Sequence, residues 1–224
     1  MPVTNKPARS IAIASLAIGI GLAAPTNAMQ SVNYGQGWDA LTFRSIPKTD
    51  YALTGDTLRV NADHSSSVIY KAVPTGARDA RSASWSWTVD QSVPPTDLAR
   101  KGGDDRNLAI YFVFTDQETA ARLGDTPNVR RLLSRSSSRM LIYVHGGSHP
   151  RGSLVPSPYF NGRGTTIIQR QAGTGSHTEK VDLAADYAKA FGGQPGVLVG
   201  VAISADSDDS GVRSASVLSP ITLI

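Results

Sequence analysis

Short apolar runs, each closed by a cluster of Gly, Pro, Ser or Asp, limit what this chain can fold into. The clearest run is Ser84-Trp85-Ser86-Trp87-Thr88-Val89, where polar and apolar residues alternate strictly. A period of two is the period of a strand, and it turns both indoles to one face. Residues 107–115 (NLAIYFVFT) and 140–144 (MLIYV) are nearly all apolar, the pattern of strands buried on both faces. Residues 58–60, 66–73, 165–169, 180–183, 197–203 and 216–223 complete the set. Helical patterning is confined to 117–123, 129–134 and 183–191, the last ending at Gly192-Gly193. An α/β fold needs helices between successive strands, and this order lacks them. The expected fold is all-β, a jelly-roll-like antiparallel β-sandwich with one or two short helices.

Such a sandwich must be held by its apolar core. The 224 residues contain no cysteine, which excludes disulfides and thiolate chemistry, and 40% are hydrophobic, enough for a core at this length. Residues 1–28 are set apart. Lys6 and Arg9 precede the apolar run IAIASLAIGIGLAA, then Pro25 and the small residues around Ala28. These are the three parts of a signal peptide, and the run is shorter than the roughly 20 apolar residues that span a bilayer. Cleavage is expected after Ala28, leaving a single β-sandwich domain over 29–224, exported to a periplasm or outside the cell. No transmembrane segment is expected in that mature chain, and a monomer is the expected state. It carries 20 basic and 18 acidic residues, too balanced for nucleic acid. Its charge is uneven, with Arg130, Arg131, Arg135 and Arg139 in one stretch and Asp206, Asp208 and Asp209 in another.

The acidic stretch runs Asp206-Ser207-Asp208-Asp209-Ser210-Gly211. Its D-x-D-x-S-G order matches the first half of a calcium loop, with oxygens at alternate positions and a glycine at the turn. The acid that should follow the glycine by six residues falls at Val217. Asp104 or Asp105, brought in from a neighbouring strand end, would complete the shell. The candidate metal set is therefore Asp104, Asp105, Asp206, Asp208 and Ser210, with calcium as the metal. The competing reading is an Asp/Ser turn bonded to its own backbone. The same aspartates could act as an acid pair in glycoside hydrolysis, which needs two carboxyl groups roughly 5 to 9 Å apart. His-Gly-Gly at 145–147 resembles an oxyanion-hole loop, but the G-x-S-x-G elbow that must accompany it is absent.

Aromatic side chains supply a second set of candidates: Trp38, Trp85, Trp87 and Tyr143, with His145. Exposed, such rings would stack on sugars; inward, they are core.

Four segments together carry a family resemblance: SWSWTVDQSVPPTDLARKGGDDRNLAIYFVF from Ser84, LIYVHGGSHPRG, VDLAADYAKAFGG and VGVAISADSDDSG. The chain resembles the bacterial family called domain of unknown function 3047 over roughly 38–221. The resemblance implies an exported or envelope protein without assigned activity. In the family pattern a Trp follows the Tyr-Val strand and another precedes the Asp-Tyr helix; His145 and His177 stand there in this chain. The expected function is non-catalytic binding of a glycan or other cell-envelope ligand, with a calcium-stabilised acidic loop. The alternatives are a polysaccharide hydrolase or lyase using aspartates, and an envelope assembly factor using the arginine stretch.

Overall fold

The computed structural model describes residues 1–2, 29–123, 131–132 and 135–224. The signal-peptide expectation over 1–28 and most of the helix expected at 129–134, with Arg130, lie outside the described residues.

The strands form two stacked sheets. The first is built from β1 (Gln30–Val32), β3 (Asp50–Leu53), β4 (Leu58–Asp63), β6 (Ser82–Gln91), β11 (Gly175–Asp182), β13 (Arg213–Leu218) and β14 (Ile221–Leu223). The second holds β2 (Asp39–Thr42), β5 (Ser66–Ala72), β7 (Arg106–Thr115), β8 (Arg139–His145), β9 (Leu154–Pro156), β10 (Gly164–Arg170) and β12 (Val197–Asp206), in the order β2-β5-β12-β7-β8-β10-β9. This is the expected jelly-roll-like sandwich, with one departure: β8 and β10 pair in parallel. The apolar run at 216–223 is two strands, because Ser219-Pro220 breaks it. Both strands then lie on one edge of the long β6, β13 along its second half and β14 along its start. Two helices stand where the pattern placed them, α1 (Gln117–Ala121) and α2 (Leu183–Phe191). Asp182 caps α2 by accepting from Ala185 N at 2.9 Å, and Gly192, at φ 76°, ends it.

The inter-sheet core explains the aromatic pattern. Trp85 of β6 packs on Trp87, on Phe112 of β7 and on Tyr143 of β8, with ring centroids 5.4 to 6.1 Å apart, and Trp87 packs on His145 at 5.6 Å. Tyr143 donates to Asp186 Oδ2 at 2.9 Å, and Tyr187 sets its ring edge against Phe114. Asp186, Tyr187 and Phe191 thus dock α2 against the core. The second sheet is apolar on its other face too, where Ala109, Tyr111, Val113, Met140, Ile142, Val144 and Ala202 form a separate buried cluster. That second face is why β7 and β8 read as unbroken apolar runs.

Candidate functional site

Antiparallel pairing of β7 with β12 sets the start of one strand beside the end of the other, with Arg106 opposite Asp206. Asp104 and Asp105 lead into β7, and Asp208 and Asp209 follow β12. Two acidic runs distant in sequence therefore meet at one rim of the second sheet.

The meeting makes two groups. In the first, Arg106 is enclosed: its Nη1 donates to Asp104 Oδ2 at 3.1 Å, and its Nη2 lies 2.6 Å from Asp206 Oδ2. Nη2 also donates to Tyr111 Oη at 3.1 Å and to Ser204 Oγ at 3.2 Å. Burial works against the guanidinium charge, but Asp206, Tyr111 and Asp104 overcome it and hold its pKa up. Asp206 is pushed above the usual carboxylate range by burial, against the pull of Arg106. Tyr159 donates to Asp104 Oδ1 at 2.6 Å, and burial together with that charged acceptor raises its pKa.

In the second group one oxygen each of Asp105, Asp208 and Asp209 falls within 4.8 Å of the others. Asp105 also caps the acidic loop, accepting from Ser210 N at 2.6 Å and Asp209 N at 3.4 Å. The loop is therefore tied by an acid from another segment. The three carboxylates could hold one divalent cation, with water filling the rest of a six- to eight-oxygen shell. Asp104 and Asp206 belong instead to the arginine group. Ser210 contributes its backbone N–H, and its Oγ is buried with no hydrogen-bond partner.

Burial, and after it the charge of Asp206, raises the Asp208 pKa to about 6. Stability from this group is therefore full below about pH 4, where folded and unfolded chains are both protonated. It is lost as pH rises through about 6. In chelator, Asp208→Asn should gain little in melting temperature at pH 4 and progressively more up to pH 7. An equal difference at every pH would contradict the shift.

Beside these groups the outer face of the second sheet opens as a cleft of about 730 Å³. Leu41, Val68, Tyr111, Ile142 and Ala202 line it from the sheet, and Phe43, Tyr159 and Phe160 from the loops. Phe43 is 40% exposed and Tyr159 52% exposed, so their rings remain open to a ligand.

The structure places the aromatic candidates elsewhere. Trp85, Trp87, Tyr143 and His145 are at most 3% exposed, inside the inter-sheet core and out of a ligand's reach. The alternating β6 pattern set both indoles on one face, and that face is the inner one. Trp38 is half-buried against Tyr34 and does not line the cleft. His145 meets His177 at 5.6 Å between ring centroids, and burial lowers its pKa to about 4, so it is neutral at pH 7. Ser148 Oγ donates to Thr96 O, and His149 faces Asp97 at 3.4 Å, so the two form no nucleophile–base pair. Gly147, at φ 76°, supplies the sharp turn after β8, and a Cβ there would lie 2.7 Å from Leu98. Sequence reasoning missed Arg106, Asp209, Phe43 and Tyr159. A lone arginine opening an apolar strand beside two aspartates was the available signal for Arg106.

The family model described as "Protein of unknown function (DUF3047)" matches residues 36–222. The chain belongs to this family. The whole second sheet, the first sheet apart from β1 and the end of β14, and both acidic runs of this DUF3047 chain fall within the matched span. No curated protein matches it. Among solved structures it is similar to the family 11 xylanase from Neocallimastix patriciarum, at 12% identity and TM-score 0.41, covering 88% of this chain and 100% of that one. It is also similar to the xyloglucanase domain of NopAA, a type three effector from Sinorhizobium fredii, at 12% identity and TM-score 0.45, covering 84% and 93%. A third is the xylan-binding module CBM15, at 14% identity and TM-score 0.30, covering 88% and 95%.

Proposed function

We propose that this DUF3047 chain is an exported saccharide-binding protein, and that the cleft on its second sheet holds a glycan of the cell envelope or its surroundings without cleaving it. One observation carries this reading: exposed rings and a bank of carboxylates line the same cleft. A sugar ring has apolar faces that stack on flat side chains, and hydroxyls that donate to carboxylates. Phe43 and Tyr159 provide the first, and Asp104, Asp208 and Asp209 the second. A calcium ion on Asp105, Asp208 and Asp209 is proposed as the metal this rim accepts, stabilising the acidic loop.

Binding to a panel of soluble and immobilised polysaccharides tests the reading, in calcium and in chelator. Wild-type protein should be retained on at least one. Phe43→Ala should weaken that binding about tenfold while melting within a few degrees of wild type, and Tyr159→Ala should weaken it as much but also lower the melting temperature, because Asp104 Oδ1 loses its donor. No retention in either condition would end the proposal.

A second reading, hydrolysis or elimination, is favoured by Asp208, whose carboxyl near pH 6 is placed to give up a proton at working pH. Release of reducing ends by wild type and its loss in Asp208→Asn would replace the binding reading with this one.

A further inference from the structure

We propose that the saccharide held in the cleft is an extended linear chain of about four or more units, lying across the strands with one sugar on Phe43 and another on Tyr159. This rests on the saccharide reading above and narrows its substrate class to straight, ribbon-like chains.

The two exposed rings stand far apart along one line. Phe43 directly follows β2, and Tyr159 is tied through its hydroxyl to Asp104, two residues before β7. The pairings of Thr42 with Ser67, of Ser66 with Asp206 and of Asp206 with Arg106 bring these strand ends to one level of the sheet. The line between the two points of attachment therefore runs across the strands and not along one of them. Strands β2, β5, β12 and β7 are successive neighbours, so the line crosses three strand spacings, about 14 Å. One sugar ring cannot reach both platforms. An extended chain advances by close to one strand spacing per sugar, so a first unit on Phe43 puts about the fourth beside Tyr159.

The floor between the rings is an apolar strip, an observation independent of where the rings stand. Each of the four strands gives one side chain to it, Leu41, Val68, Ala202 and Tyr111. Leu41 is paired with Val68 and Ala202 with Tyr111, while Val68 stands opposite Ser204, one pleat from Ala202. The strip deepens from the half-buried Leu41 and Val68 to the buried Ala202 and Tyr111. The Tyr111 hydroxyl is taken up by Arg106, so the ring presents carbon to the cleft. Such a strip covers the C–H faces of sugars laid end to end. Equatorial linkages keep a chain flat and straight enough to follow it, whereas an axial linkage coils the chain away. The cleft of about 730 Å³ is also larger than a single sugar ring fills.

Calorimetry on the full chain tests this with β-1,4-linked oligomers of glucose, of xylose and of N-acetylglucosamine, from two to six units, and with maltohexaose as a coiled control. At least one of the three series should bind, gaining about a hundredfold in affinity from two units to four and levelling off by six. Maltohexaose should bind at least about tenfold more weakly than the best extended hexamer. Phe43→Ala should cost that series about tenfold at four units and beyond but under about threefold at two, because a disaccharide keeps Tyr159 as its platform. Affinity already level from the disaccharide onward would overturn the chain assignment and leave saccharide binding standing. So would a Phe43→Ala loss equal at every length, which would put both rings on one sugar. Maltohexaose binding as tightly as the extended hexamers would overturn the straight shape. No binding by any oligomer would overturn the chain assignment, and absence of polysaccharide retention as well would remove the saccharide reading with it.

Discussion

Arg106→Met should cost the protein about 3 to 5 kcal/mol of folding stability, the range for removing one partner of a buried ion pair. The guanidinium is the only described cation paired with Asp104 and Asp206, and it also donates to Tyr111 and Ser204. Methionine fills much of the volume but leaves two carboxylates facing each other at a buried rim. Urea denaturation at pH 7 measures the loss. Part of it should return near pH 4, because each orphaned carboxylate can then bind a proton. Lysine should recover only a fraction, since a single ammonium cannot reach Asp104 and Asp206 together with the fork geometry of arginine. A loss under about 1 kcal/mol would mean that the acids are held apart by something other than Arg106.

Trp87→Ala should be comparably severe, at about 3 to 5 kcal/mol, the range for emptying a large core aromatic site. The indole packs on Trp85 and His145, and its Nε1 donates to Glu179 Oε1 at 3.3 Å. Glu179 is only 2% exposed and also accepts from Arg170 Nε at 2.7 Å, so the variant opens a cavity and removes one donor from a buried carboxylate. Where it remains folded, for example at low temperature, its affinity for any cleft ligand should match wild type. A selective loss of binding with intact stability would return Trp87 to the ligand-binding residues and overturn its placement in the core.

These two cases mark how far the sequence could be read. The long strands were legible because apolar period and turn chemistry agree along β4 to β8 and along β10 and β12. Four short strands, β1, β2, β3 and β9, were not. Three or four residues carry no period; β2, β3 and β9 each form on the edge of a longer neighbour, and β1 on the equally short β14. The meeting of the acidic runs was anticipated as a possibility, but its division was not. Which aspartate serves Arg106 and which joins the triad depends on the pairing of β7 with β12 and on the bulge between Ser204 and Asp206. The face to which Trp85 and Trp87 point is equally a tertiary matter. Alternation shows that they share a side and says nothing of whether that side meets another sheet. Phe43 and Tyr159 sit in loops, where no repeating pattern marks a ring that stays open to solvent.

The pairing of β1 with β14 has a kinetic consequence. Val32 lies against Ile221, so the first sheet is sealed by residues from opposite ends of the described fold. The entropy of closing that span is lost before any of its hydrogen bonds form, which makes this seam a late and slow event of folding. Until it closes, the outer edge of β14 stays unpaired, and a chain held at that stage would present that open border to other molecules.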